Sequence, residues 1–211
     1  MVLKIRSDHH LVGIDTKEVI EAASTKWNFI PIHPGLVGGH CIDIVPYYLE
    51  SKAAQLGYHP NVISAARKTN EGMAKFIAHQ VLQKLSSSGI IIAESKINIL
   101  GLSFKENIKD LSNSKIIDLI NHLKAHDAEV FIHDPLAHPE DAMQQYGIKL
   151  SDWESLPVAD AMIIATPHQQ FLSKPLSELT SKLQPKGCFF DLHSSFDTKQ
   201  IQQAGFRVWR L

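Results

Sequence analysis

Lys96-Ile-Asn-Ile-Leu-Gly-Leu-Ser-Phe-Lys105 reads as a buried strand that runs directly into a glycine turn. The segments that follow alternate in period. Asn113 to His126 is a helix with Ile116, Ile117, Leu119, Ile120 and Leu123 on its buried side. Glu129 to His133 is a strand ending at Asp134-Pro135, and Pro139 to Tyr146 is a short helix. Ala161–Ala165, Gly187–Asp191 and Phe206–Trp209 are further strands, the last two separated by a helix over Asp197–Ala204. Strands alternating with helices specify a Rossmann-like, doubly wound parallel sheet, assigned to residues 89–211. In such a sheet ligands sit at the carboxyl ends of the strands. Those ends carry Gly101 to Lys105, His133-Asp134, Thr166-Pro-His168 and Asp191-Leu-His193. Gly101 by itself is no GxGxxG fingerprint. Lys105 reads either as a phosphate or sugar contact or as a solvated lysine.

Upstream, Ser86-Ser-Ser-Gly89 closes a long helix and marks the expected domain boundary, so that residues 1–88 form an all-helical segment. In that helix Val62, Ile63, Ala66, Thr69, Met73, Phe76, Ile77, Val81 and Leu85 recur at helical spacing. Over Asn61–Leu85 it would span on the order of 35 Å at 1.5 Å per residue. A helix of that length predicts packing against a partner, and a homodimer through Asn61–Leu85 is the expectation. Earlier still, Asp15-Thr-Lys-Glu18 has the form of a capping box. Pro46 opens a helix through Gln55 that Gly57 ends.

Between those helices stands Pro31-Ile-His-Pro-Gly-Leu-Val-Gly-Gly-His-Cys-Ile-Asp-Ile-Val-Pro-Tyr-Tyr-Leu49. Glycines let backbone approach a ligand closely, and a cysteine just ahead of a helix N-terminus is favoured as thiolate. The loop therefore reads as a substrate-contacting segment, with Gly35, Gly38, Gly39 and His40 around the nucleophile Cys41. A zinc site built on His33, His40 and Cys41 lacks the required spacing, as do all twelve histidines, including the adjacent His9–His10 pair. No metal is expected.

Composition narrows the classes. A formal net charge of -1 with 20% charged residues gives no support for nucleic-acid or anionic-membrane binding. No apolar run approaches the roughly 20 residues a membrane helix needs. Cys41 and Cys188 form no disulfide framework, so a cytoplasmic location is expected.

Gly38-Gly-His-Cys41 with Pro46-Tyr-Tyr-Leu49, then Gly101-Leu-Ser-Phe-Lys-Glu-Asn107 and Asn113-Ser-Lys115, together resemble the UDP-glucose/GDP-mannose dehydrogenase family. Its bacterial UDP-N-acetylhexosamine 6-dehydrogenases, which serve surface polysaccharide biosynthesis, are the nearest branch. The resemblance runs from about Gly13 to the C-terminus. It implies a three-part enzyme with an NAD domain, a dimerising helical domain carrying the cysteine, and a UDP-sugar domain. It also implies oxidation of a sugar C6 to a uronate through a thiohemiacetal and a thioester on Cys41. Phe104 and Lys105 match a pair that contacts the nucleotide sugar. This chain is expected to represent the second and third parts, with NAD held by a domain encoded separately or lost.

Some positions depart from the family pattern. Val45 stands where the family carries a carboxylate four residues after the cysteine, and Asp43 is two residues too early to replace it. Ser112 and His193 stand where basic residues are expected, and His33 takes the place of an arginine. The family's catalytic lysine lies upstream of Gly13, where Lys4 has the wrong surroundings. These departures leave two readings open: a UDP-sugar 6-dehydrogenase subunit, or a catalytically inactive remnant that binds UDP-sugar and dimerises. A third reading, in which this sheet itself binds NAD, rests on the fold class alone.

Overall fold

The computed structural model describes residues 13–211, so Lys4 and the His9–His10 pair lie outside it. Helices α1 (Thr16–Ala23), α2 (Val45–Gln55) and α3 (Asn61–Ser87) come first. Strand β1 (Lys96–Leu100), α4 (Ile116–Lys124), β2 (Glu129–His133), α5 (Pro139–Tyr146) and β3 (Ala159–Ile164) follow. Two short helices, α6 (Gln169–Leu172) and α7 (Leu176–Thr180), then β4 (Leu183–Asp191), α8 (Thr198–Gln203) and β5 (Arg207–Arg210) complete the chain. The sheet is parallel throughout, in the order β2-β1-β3-β4-β5. The chain steps outward from β1 in both directions, which makes the sheet doubly wound. β1 and β3 are buried along nearly their whole length because helices cover both faces, and this is why they read as apolar runs rather than alternating ones.

The long helix has two halves of different character. From Met73 onward its apolar stripe (Met73, Ile77, Val81, Leu85) is at most 2% exposed and shares one core with Ile97, Ile99, Leu119 and Leu123. Its first half lies outside that core, and Val62 is 83% exposed. The stripe that predicted a partner along the whole of Asn61–Leu85 is thus used over its second half by the chain's own sheet. Only the first half remains open to another subunit. The Ser86–Gly89 break separates two elements of this shared core.

α2 has no buried residue. It is tied to α3 by polar contacts instead. Arg67 stacks 3.5 Å from the Tyr47 ring centroid and pairs with Glu50 and Glu71. α1 is capped by Asp15, whose carboxylate accepts from the Lys17 and Glu18 amides. The reciprocal half of the box, from Glu18 back to Asp15, is not made among the described residues. The second Asp15 oxygen instead receives the Arg210 guanidinium, joining α1 to the last strand. Burial would raise the Asp15 pKa, but the Arg210 and backbone hydrogen bonds outweigh it and hold the carboxyl below its usual range.

Candidate functional site

The thiol loop lies across the carboxyl edge of the sheet. Its glycines show why no side chain is tolerated there. A Cβ on Gly38 would sit 2.3 Å from the Asn113 carbonyl oxygen, and one on Gly39 would sit 2.9 Å from the Phe104 ring. Gly39 also has φ +97°, a conformation open to glycine. Its amide donates to the Ser112 carbonyl at 3.1 Å, and its own carbonyl accepts from Asn113 Nδ2 at 3.2 Å. Gly35 faces His193, whose Nε2 would be 3.0 Å from a Cβ there. The two stretches singled out in the sequence are therefore packed directly on one another.

Phe104 and Lys105 line a small cleft at the strand ends with Leu36, Lys115, Thr166 and His193. Lys105 is exposed and makes no ion pair among the described residues. Cys41 is exposed too, and its carbonyl accepts the Val45 amide at 2.9 Å, starting the turn that becomes α2. Residues four apart in such a turn share a face, so Val45 rather than Asp43 follows Cys41 on the same side. The N-cap of α2, Ile44, makes no side-chain capping bond. Asp43 points elsewhere. It pairs with Lys115 at 3.2 Å and accepts from Asn70 Nδ2, which also donates to the Val37 carbonyl at 2.9 Å. His40 turns from the cleft toward Asp110, 3.5 Å away.

The departures have local consequences. Ser112 folds back on Asp110, donating from both Oγ (2.6 Å) and the backbone amide (2.9 Å). These bonds, the side-chain one foremost, hold Asp110 below the usual carboxylate range. His193 Nδ1 is enclosed with no hydrogen-bond partner among the described residues, and burial holds the ring down to about 4, so it is neutral at pH 7. It cannot supply the charge of the arginine the family pattern places there.

Beneath the cleft lies a group whose importance sequence reading missed. Ser103, Asp134 and His168 are buried together, with His168 fully enclosed. Asp134 Oδ2 accepts from the Leu102 and Ser103 amides at 2.7 and 3.0 Å and lies 3.1 Å from His168 Nε2. Burial alone would raise the Asp134 carboxyl; the His168 bond and these amides overcome that and hold it far below the ordinary range. The residues are those of a hydrolytic triad, but the arrangement is not. Ser103 Oγ lies 3.0 Å from the same Nε2 that faces Asp134, so no imidazole relays a proton between them. The available signal was position, since each residue stands at or just beyond a strand end.

A nicotinamide dinucleotide does not fit the described residues. The β1–α4 turn lacks the glycine fingerprint, and a Cβ on Gly101 would lie 2.7 Å from the Thr166 amide nitrogen. Its missing side chain makes room for the end of β3 rather than for a pyrophosphate. Among the described residues no cluster of His, Cys, Asp or Glu is set to hold a metal ion, and no helix is long and apolar enough to cross a membrane.

Fold and site define an α/β protein with a Rossmann-like sheet and a cysteine loop brought to its carboxyl edge by a helical arm. Residues 98–198 match the UDP-glucose/GDP-mannose dehydrogenase family, UDP binding domain, and residues 4–72 match the central domain of the same family. The chain belongs to that family. It is 39% identical to protein CapL of Staphylococcus aureus over 200 residues, covering 95% of this chain and 47% of that protein. It is 38% identical to a UDP-N-acetyl-D-glucosamine 6-dehydrogenase of Pseudomonas aeruginosa over 186 residues, 88% of this chain and 44% of that one. The solved UDP-D-ManNAc dehydrogenase of Pyrococcus horikoshii superposes with a TM-score of 0.81 at 27% identity, over 98% of this chain and 47% of that chain. This chain spans about half the length of the curated relatives it matches. The central-domain match ends at Gly72, one residue before α3 enters the sheet's core.

Proposed function

We propose that this chain supplies the UDP-sugar seat and the nucleophilic thiol of a UDP-sugar 6-dehydrogenase that serves surface polysaccharide synthesis. The contact of Gly38 and Gly39 with Asn113 and Phe104 carries the reading, because it sets the thiol loop beside the cleft lined by Lys105. Lys105, without an ion pair among the described residues, offers its ammonium to the nucleotide's phosphates or sugar. Phe104 forms one wall, and Gly35, Gly38 and Gly39 admit the sugar close to backbone. His40, at the rim, would contact the sugar by turning from Asp110. Cys41 then adds to a C6 aldehyde. The Sγ–C6 bond forms, the carbonyl π pair moves to oxygen, and that oxygen takes a proton, giving a thiohemiacetal. The hydride acceptor implied by the family is NAD. The described residues give it no seat, so this reading requires an NAD-binding domain beyond them.

Val45 favours the second reading, an inactive UDP-sugar-binding remnant. It leaves the Cys41 face without a carboxylate, and Asp43 is committed to Lys115. Both readings include self-association through the exposed first half of α3 and the face of α2. There Tyr48 and Leu56 stand uncovered, and the exposed Ile42, Tyr47 and Val62 line a groove of about 410 Å³.

Calorimetry with UDP tests the shared part: the chain binds UDP, and Lys105→Ala weakens binding about tenfold. Failure of the wild-type chain to bind UDP ends both readings. Sustained NADH formation from UDP-N-acetylglucosamine by the chain alone ends the inactive one.

A further inference from the structure

We infer that His168 is a positioning residue for nucleotide-sugar recognition: its buried imidazole fixes the 103–107 turn so that Phe104 and Lys105 face the thiol loop. The inference rests on the UDP-sugar reading of the Lys105 cleft. At the far end of the turn the Asn107 amide donates to His168 Nδ1 at 2.9 Å. A nitrogen that accepts carries no proton, so the ring's hydrogen is on Nε2, directed at Asp134 Oδ2 and Ser103 Oγ. One ring thus spans the turn, holding its first residue through Ser103 and Asp134 and its last through Asn107. Two further bonds lock the same ends. Thr166 Oγ1 donates to the Ser103 carbonyl at 2.8 Å, and Asn107 Oδ1 accepts the Gln169 amide at 2.7 Å. Asn107 itself sits at φ +60°, which asparagine tolerates and most residues do not. The other Asp134 oxygen accepts from the Leu136 and Ala137 amides, both at 2.9 Å, so the carboxylate is anchored independently of the turn.

The residues between the clamped ends are Phe104, Lys105 and Glu106. A buried acid–imidazole pair is a costly way to gain stability, since apolar residues of the same volume do as well. It does fix geometry, because each donor and acceptor has one satisfactory arrangement. His168 is fully enclosed and cannot touch substrate. Its action is through Phe104 and Lys105.

The test is UDP calorimetry on the full chain with His168→Phe, His168→Gln, Lys105→Ala and the His168→Phe/Lys105→Ala double variant. Phe removes both hydrogen bonds, whereas the Gln amide can accept from Asn107 and donate toward Asp134. His168→Phe is expected to weaken UDP binding about tenfold and His168→Gln to stay near wild type. With Lys105 already gone, His168→Phe is expected to cost less, because only the Phe104 part remains to be lost. Equal binding by His168→Phe, or an undiminished loss in the Lys105→Ala background, overturns the inference and leaves the UDP reading standing. A wild-type chain that does not bind UDP removes both. If His168→Phe does not fold, hydrogen exchange at the Asn107 amide of the wild-type chain decides: slow exchange, slowed further by UDP, supports the clamp, and exchange at the rate of an open loop overturns it.

Discussion

Asp43 Oδ2 lies 3.2 Å from the Lys115 ammonium, and the pair joins the turn after Cys41 to the start of α4. Both side chains are largely buried, so solvent screens them less than a surface pair. Asp43→Lys and Lys115→Asp are each expected to cost about 1 kcal/mol. The double exchange should recover most of it. Denaturant midpoints for the three variants check this, and a double exchange no better than the worse single variant counts against a direct pair.

The glycines of the thiol loop rank by what surrounds them. Gly38→Ala forces a methyl against the Asn113 backbone, and Gly39→Ala places one against the Phe104 ring at φ +97°. Both should destabilise by about 2–3 kcal/mol and free the loop. Gly72 lies inside α3 with open space where its Cβ would be, so Gly72→Ala should stabilise by up to about 1 kcal/mol. Thermal melts of the three variants give the order.

His193 sets a pH dependence of stability. Its folded pKa, held to about 4 by burial, lies below the ordinary imidazole value, so the unfolded chain binds the proton first. Stability is full above about pH 6.5, falls as pH drops through the interval, and that contribution is exhausted near pH 4. Glu106 and His33 are the charged neighbours, the first favouring the protonated ring and the second opposing it. Chemical denaturation at pH 7 and pH 5 should show a smaller loss for His193→Gln than for wild type.

The uncovered face of α2 and the first half of α3 should make the chain associate at micromolar concentration. Sedimentation is expected to show a dimer or larger species that Tyr48→Glu with Val62→Lys disperses without lowering UDP affinity. A wild-type monomer would remove the self-association from the proposal.

The order of the longer elements, the parallel sheet, the Asp15 cap of α1, the bounds of α2 and the family membership were legible in the residues themselves. Helical and strand periods, Pro46 ahead of a helix and Gly57 after it act over a few positions, and local rules reach that far. The short α6 and α7 carry too little periodicity to be read. The second half of α3 reads identically whether its stripe meets a second subunit or the chain's own sheet; only the packed structure shows Ile77 and Val81 against α4 and the strands. The same holds for the site. Cys41, Phe104 and Lys105 announced themselves by motif, but the turn that carries Phe104 and Lys105 is set by Ser103 and His168, 65 residues apart in sequence. Likewise the residues alone place Asp43 two positions too early to replace the family's carboxylate, but only the structure shows that it pairs with Lys115. A hydrogen bond or an ion pair depends on distance through space, and no local pattern encodes which distant strand end or helix will arrive within 3 Å.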